Sequence, residues 1–106
     1  MLTPPINVFR RTLKLSIAGT RGGFARSQIL MLLEKRPHTI NELSDELSLN
    51  YKTIEYHLRV LEKLGLITPP DKKYRKTFEL SVLVKANKNF LKEAYDGIIK
   101  ENKHTK

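Results

Sequence analysis

Residues 39–65 read TINELSDELSLNYKTIEYHLRVLEKLG, and their spacing decides the fold. Thr39 followed three residues later by Glu42 is a capping-box signature, in which each side chain accepts from the other's backbone N–H and opens a helix. That helix turns Ile40, Leu43 and Leu47 inward and leaves Glu42, Asp45 and Glu46 outside. Ser48, Leu49 and Asn50 form a short connection, with Asn50 placed to cap a second helix. At roughly 100° per residue the second helix carries Ile54, Leu58, Leu61 and Gly65 on one face. Lys52, Tyr56, Arg59 and Lys63 repeat the same spacing on the opposite face. The first stripe is a core; the second needs another explanation.

The flanking segments supply one. Downstream, Leu66–Thr68 is a short strand, PPDKKYRK a basic turn, and Thr77–Leu80 a returning strand with Phe78 and Leu80 on one face. A short helix, a three-residue turn, a longer helix and then a hairpin with a cationic tip spell a winged helix-turn-helix. Lys72, Lys73, Arg75 and Lys76 of the wing are placed to straddle a nucleic-acid backbone or to enter a minor groove. Upstream, Phe24 to Arg36 reads as a helix with Ala25, Ile29, Leu32 and Leu33 inward, stopped by Pro37. GTRGG at 19–23 interrupts whatever precedes it. Residues 6–18 are ambiguous. Thr3, Pro4 and Pro5 suit a helix start that buries Ile6, Phe9, Leu13 and Ile17, yet Leu13, Leu15 and Ile17 also alternate as in a strand.

Composition sets the outer bounds. The chain has 106 residues, 40% of them apolar, enough for one core and one domain: an N-terminal segment 1–18, a winged-helix unit 24–80 and a C-terminal helix 81–102. A net charge of +9 suits a polyanionic partner, for which nucleic acid is the commonest candidate. The sequence contains no cysteine, which excludes disulfide scaffolds, thiol catalysis and thiolate metal sites. The apolar run Ile29–Leu33 is far too short to span a bilayer, and MLTPPINVFRR lacks the apolar core of a secretory signal, so a cytoplasmic protein is expected.

Catalytic chemistry finds no footing. His38, His57 and His104 are scattered without an HExxH pair, and GTRGG lacks the spacing of a phosphate-binding P-loop. Ser27, Ser44 and Ser81 have no base partner in sight. No enzyme activity, cofactor or metal is expected. His57 flanks the apolar face of the second helix and reads as a packed histidine rather than a switch.

The outward stripe now has a use. Arg59 suits a bidentate bond to a guanine edge or a phosphate, and Tyr56 offers a hydroxyl and a ring. Lys52 and Thr53 lie near the helix N-terminus, where backbone or base contacts are natural, and Lys63 reaches backbone at most. Glu55 is able to accept from a cytosine amine but repels phosphate.

From Gly19 to Ser81, and most specifically in YKTIEYHLRVLEKLGLI, the chain resembles archaeal winged-helix regulators of the ArsR type. The resemblance implies a homodimeric transcription regulator that binds double-stranded DNA through Lys52, Thr53 and Tyr56, with its terminal helices building the dimer. Two departures qualify it. Metal-sensing members carry cysteines that this chain lacks, so thiolate sensing does not transfer. Ser48 stands where many relatives have glycine, which costs backbone strain if that position is left-handed.

The C-terminal segment adds its own argument for a dimer. With Ser81 as N-cap, Leu83, Val84, Phe90, Leu91, Ala94, Tyr95 and Ile98 make an arc wider than a small domain readily covers, and Asn87 inside it suits a register-fixing role. With Phe9, Leu13 and Ile17 of the first segment these residues are the expected interface. The alternative is that the arc packs on the chain's own first helix. The expectation is therefore a sequence-specific repressor binding a pseudo-palindromic operator as a homodimer. Its rival is a winged-helix protein-interaction or nonspecific nucleic-acid-binding module. Any small-molecule effector would have to use the dimer interface, because so little chain lies elsewhere.

Overall fold

In the computed structural model the backbone is described for residues 6–17, 21–71 and 76–104, and side chains as far as residue 97. The elements in chain order are α1 (Ile6–Ile17), α2 (Gly23–Lys35), α3 (Ile40–Leu47), α4 (Tyr51–Lys63), β1 (Ile67–Thr68), β2 (Glu79–Leu80), α5 (Val82–Ala86) and α6 (Lys88–His104). Mostly helical architecture with one antiparallel hairpin is the winged helix-turn-helix arrangement expected from the sequence.

Local rules account for the boundaries. Pro37 removes a backbone donor and forces Arg36 into extended geometry, φ −169°, which ends α2. The Thr39–Glu42 capping box forms in both directions, at 3.1 and 2.9 Å. The bond from the Thr39 amide, with Arg36 3.2 Å away, holds the Glu42 carboxyl below the usual carboxylate range. Asn50 caps α4 by accepting from the Thr53 amide at 2.8 Å, and Ser81 caps α5 in the same way through Val84. The ambiguous segment 6–17 is helical: its alternation is outweighed by the apolar face of Phe9, Leu13 and Ile17, which is buried. The expected cap at Thr3–Pro5 and the Gly19–Thr20 part of the GTRGG turn lie outside the described residues.

Two expectations need correction. Gly65 does not extend the apolar stripe of α4; it terminates that helix. With φ +75°, it donates to the Glu62 carbonyl at 3.0 Å while the Leu66 amide donates to the Leu61 carbonyl at 3.0 Å, the paired bonds of a Schellman ending. The C-terminal helix is also not continuous from Ser81. Asn87 interrupts it because its side-chain amide donates to the Leu83 carbonyl at 2.8 Å, competing with the backbone ladder, and α6 begins afresh at Lys88.

The wing is anchored by more than its two strands. Ile67 pairs with Leu80 and Thr68 with Glu79, and a further bridge joins Phe78 to His38. His38 exchanges backbone bonds with Phe78 at 3.1 and 2.7 Å, and its buried ring Nδ1 lies 2.8 Å from the Arg36 carbonyl, which makes that nitrogen the donor. The segment after α2 thus acts as a third, one-residue strand that fixes the hairpin to the helices.

One core joins all layers: Ile29, Leu30 and Leu33 of α2, Leu43 of α3, Ile54, Leu58 and Leu61 of α4, Ile67 and Leu80 of the wing, and Val84 and Leu91 of the C-terminal helices. α1 closes it by packing on α6. Phe9 and Phe90 meet with ring centroids 6.3 Å apart, and Arg10 lies over the Phe90 ring while binding Glu93 with both carboxylate oxygens, at 2.6 and 3.0 Å. That bond lowers the Glu93 pKa and raises that of Arg10.

The packing engages most of the expected interface residues within the protomer. Phe9, Leu13, Ile17, Leu91 and Ala94 are buried within the protomer, and Leu83, Phe90 and Tyr95 are half-buried against the same core. Having spent their apolar surface on the chain itself, the fully buried five have none left for a partner in this conformation. Asn87 is engaged within its own chain, and the side chain of Ile98 lies outside the described residues. Apolar surface on α1 that remains exposed belongs to Ile6, Val8 and Leu15.

Ser48 is the one described non-glycine residue with positive φ, at φ 54°, ψ 40°. A side chain in this left-handed region costs about 1–2 kcal/mol. Ser48→Gly should therefore raise stability by about 1 kcal/mol, partly offset by the greater freedom glycine has when unfolded. Urea unfolding checks this as a higher midpoint with an unchanged slope.

Candidate nucleic-acid interface

α4 is held by its inner face and presents its outer one. Ile54, Leu58 and Leu61 are buried, while Lys52, Tyr56, Arg59 and Lys63 are exposed and Thr53 is half-exposed. Tyr56 keeps 60% of its surface and the Arg59 side chain 74%. Among the described residues the only ion pair of Arg59 is with Glu55 one turn back, at 3.4 Å. An exposed i,i+4 pair of this kind is weak and screened by salt, so it orients the guanidinium without sequestering it. The four side chains form a ridge along one face of the helix, stepping about one turn at a time.

The other expected contacts divide. Lys76 is described and exposed beside β2, where with Thr39, Asn41, Tyr51 and Phe78 it lines a cleft of about 300 Å³ between the start of α4 and the wing. Lys72, Lys73 and Arg75 lie outside the described residues. Glu42, Asp45 and Glu46 sit on α3, the helix that precedes α4.

Sequence reasoning missed what lies beneath Tyr56. Arg26 of α2 and His57 of α4 are both buried, each retaining 7% of its surface. Arg26 donates from Nε to the Ser16 carbonyl at 3.0 Å, and its Nη1 lies 3.2 Å from His57 Nδ1. The Tyr56 ring packs edge-on to His57 with centroids 5.5 Å apart. Arginine does not accept hydrogen bonds and stays charged, so His57 Nδ1 must be the acceptor and the imidazole neutral. Arg26 and His57 are 31 positions apart, and neither carries a spacing signal that announces the pair.

The pair has a pH consequence. Burial, and then the Arg26 charge, hold the His57 pKa below that of a free histidine. Among the described residues, the ionisable side chains that line the cleft beside it are Arg21, Arg26 and Tyr56. A base whose folded pKa is depressed stabilises the fold above the unfolded pKa, and that contribution is lost as pH falls through the folded value. Stability should therefore be constant near pH 7–8 and should fall once pH drops below about 6.5, where the unfolded histidine takes up its proton first. His57→Gln should flatten this part of the profile in thermal melts run from pH 8 to 5.

Residues 25–68 match the family described as bacterial regulatory protein, arsR family; the match runs from the first turn of α2 through the helix-turn-helix to β1. The structure is similar to reduced HlyU from Vibrio cholerae, with 26% identity, TM-score 0.62, and 85% of this chain and 93% of that chain covered. It is equally similar to the transcriptional regulator HlyU from Vibrio vulnificus, with 26% identity, TM-score 0.61, and coverage of 85% and 92%. The homodimeric winged helix-turn-helix DNA-binding domain Mb0332 from Mycobacterium bovis shares the fold at 14% identity, TM-score 0.58, and coverage of 100% and 94%. No curated protein matches the sequence. The chain has the winged helix-turn-helix fold of the ArsR type, and its residues 25–68 are similar to the arsR family of bacterial regulatory proteins.

Proposed function

We propose that the protein is a sequence-specific, double-stranded-DNA-binding transcription regulator that acts as a homodimer and represses by occupying a pseudo-palindromic operator. The observation that carries this reading is the ridge of Lys52, Tyr56, Arg59 and Lys63: cationic, exposed, and borne by a helix whose opposite face is locked in the core. In a helix-turn-helix the second helix enters the major groove, and Arg59 and Tyr56 sit where base edges would be met. Lys52, Thr53, Lys63 and Lys76, with Lys72, Lys73 and Arg75, serve phosphates, which fix register without reading sequence. Occupancy alone excludes polymerase, so repression needs no further contact surface.

Dimerisation is supported by apolar surface that one chain leaves uncovered. Val8 and Leu15 of α1 are about half exposed, and a groove of about 380 Å³ between α1 and α4 is lined by Thr12, Leu15, Val60 and Leu64. A partner's terminal helices covering this side would set two α4 ridges about 34–36 Å apart, one turn of duplex.

Competition tests the function. Fragments selected from the host's genomic DNA should bind with two chains per site, and a random duplex should need an excess of about 10³ or more to displace them. Displacement by equal amounts of random duplex would point instead to a nonspecific or protein-interaction module.

A further inference from the structure

The turn at Arg21–Gly22 faces the middle of α4 across an open cleft of about 500 Å³, lined by Arg21, Gly22, Arg26, Tyr56 and His57. Among the described residues every polar side chain in that lining is a cation or a donor, and none is a carboxylate. Arg21 is exposed, whereas Arg26 and His57 form the floor.

The floor has a fixed protonation pattern. Because Arg26 occupies His57 Nδ1 as an acceptor, the imidazole proton resides on Nε2. That N–H belongs to a side chain more than nine-tenths buried whose ring lines the cleft. The cleft that the ring lines is where an acceptor for this donor fits. Gly22 keeps the space open. Its φ of −95° is available to any residue, but a Cβ there would sit 2.5 Å from Arg26 Nη1 and 2.7 Å from His57 Cε1. The glycine is needed for room rather than for conformation. Gly22 is also the N-cap of α2 and makes no side-chain cap bond, so the positive end of a 13-residue helix borders the same space.

We propose that this cleft is a binding site for a phosphate group, with the Arg21 guanidinium and the His57 Nε2–H as its donors and the Tyr56 hydroxyl at its mouth. Arg26 is a positioning residue: its own donors serve Ser16 and His57, and it holds the imidazole in the tautomer that donates. Tyr56 belongs both to the cleft and to the outward ridge, so a duplex lying on α4 would bring a backbone phosphate to this point. That source rests on the DNA-binding reading above; a free phosphorylated molecule is the other source of the same chemistry.

The test uses the full chain and inorganic phosphate at constant ionic strength, following the His57 ring nitrogens and the Gly22 and Gly23 amides by NMR. The expected result is a saturable shift of these signals that Arg21→Gln weakens at least about fivefold, with no change in melting temperature because Arg21 is exposed. No saturation, or an equal response in Arg21→Gln, would overturn the site. Duplex titrations then identify the source. If the phosphate is DNA's, Arg21→Gln lowers affinity about three- to tenfold for selected and random duplexes alike and reduces the salt slope by about 0.9. If phosphate binding is lost while duplex affinity is unchanged, the site holds and its ligand is a free phosphorylated molecule. Failure of the wild-type chain to bind any duplex would remove the DNA reading, while the phosphate titration would still decide the cleft.

Discussion

Arg59→Glu should lower affinity for the selected operator at least about a hundredfold while leaving the fold intact. Losing a base-reading arginine costs about 1–3 kcal/mol, and a carboxylate facing phosphates adds repulsion on the scale of several kcal/mol. Folding is spared because the Arg59 side chain is 74% exposed and its only described ion pair, with Glu55, is solvated. Arg59→Ala separates the two effects: affinity should fall about five- to a hundredfold, and preference should relax at one base position in each half-site. Fluorescence anisotropy with the operator and with single-position variants of it measures both. Unaltered affinity in Arg59→Glu would remove Arg59 from the interface.

Leu61→Ala should act in the opposite way, on stability first. Leu61 has no exposed surface and packs α4 against the core shared with α2 and the wing. A Leu-to-Ala change at such a site costs about 2–5 kcal/mol through lost transfer energy and the cavity left behind. Domains of this size are stable by about 5–15 kcal/mol, so the loss is a large share of the total. The melting temperature should fall by roughly 8–40 °C, from a shift of about 4–8 °C per kcal/mol. Affinity of the protein that remains folded should change far less, because the outer ridge is untouched. Melting curves with and without operator distinguish that outcome from direct loss of contact.

The parts of the molecule legible in the sequence are those governed by local chemistry. Thr39 and Glu42 cap α3, Asn50 caps α4, Pro37 ends α2, and the 3.6-residue period separates Leu58 from Arg59; each needs only neighbours a few residues away. What escaped the sequence depends on partners far along the chain. The His38–Phe78 bridge spans the whole helix-turn-helix, and the Arg26–His57 bond joins helices whose crossing no spacing reveals. Gly65 was ambiguous for another reason: glycine satisfies an apolar period and ends a helix, and only its φ of +75° decides between them. Asn87 likewise looked like a register device between chains. Its bond to the Leu83 carbonyl is a local interaction that breaks the helix instead. The arc along α5 and α6 and the apolar face of α1 cover each other within one chain, a pairing that the sequence pattern left open beside a dimer.

The ridge is the centre of the account, and chemical-shift mapping of the free chain against its operator-bound form tests it most directly. Amide and side-chain signals of Lys52, Thr53, Tyr56 and Arg59 should move most, with those of Glu42, Asp45 and Glu46 on α3 moving least. Shifts concentrated on α3 or the outer face of α6, with these four residues unmoved at saturation, would contradict it.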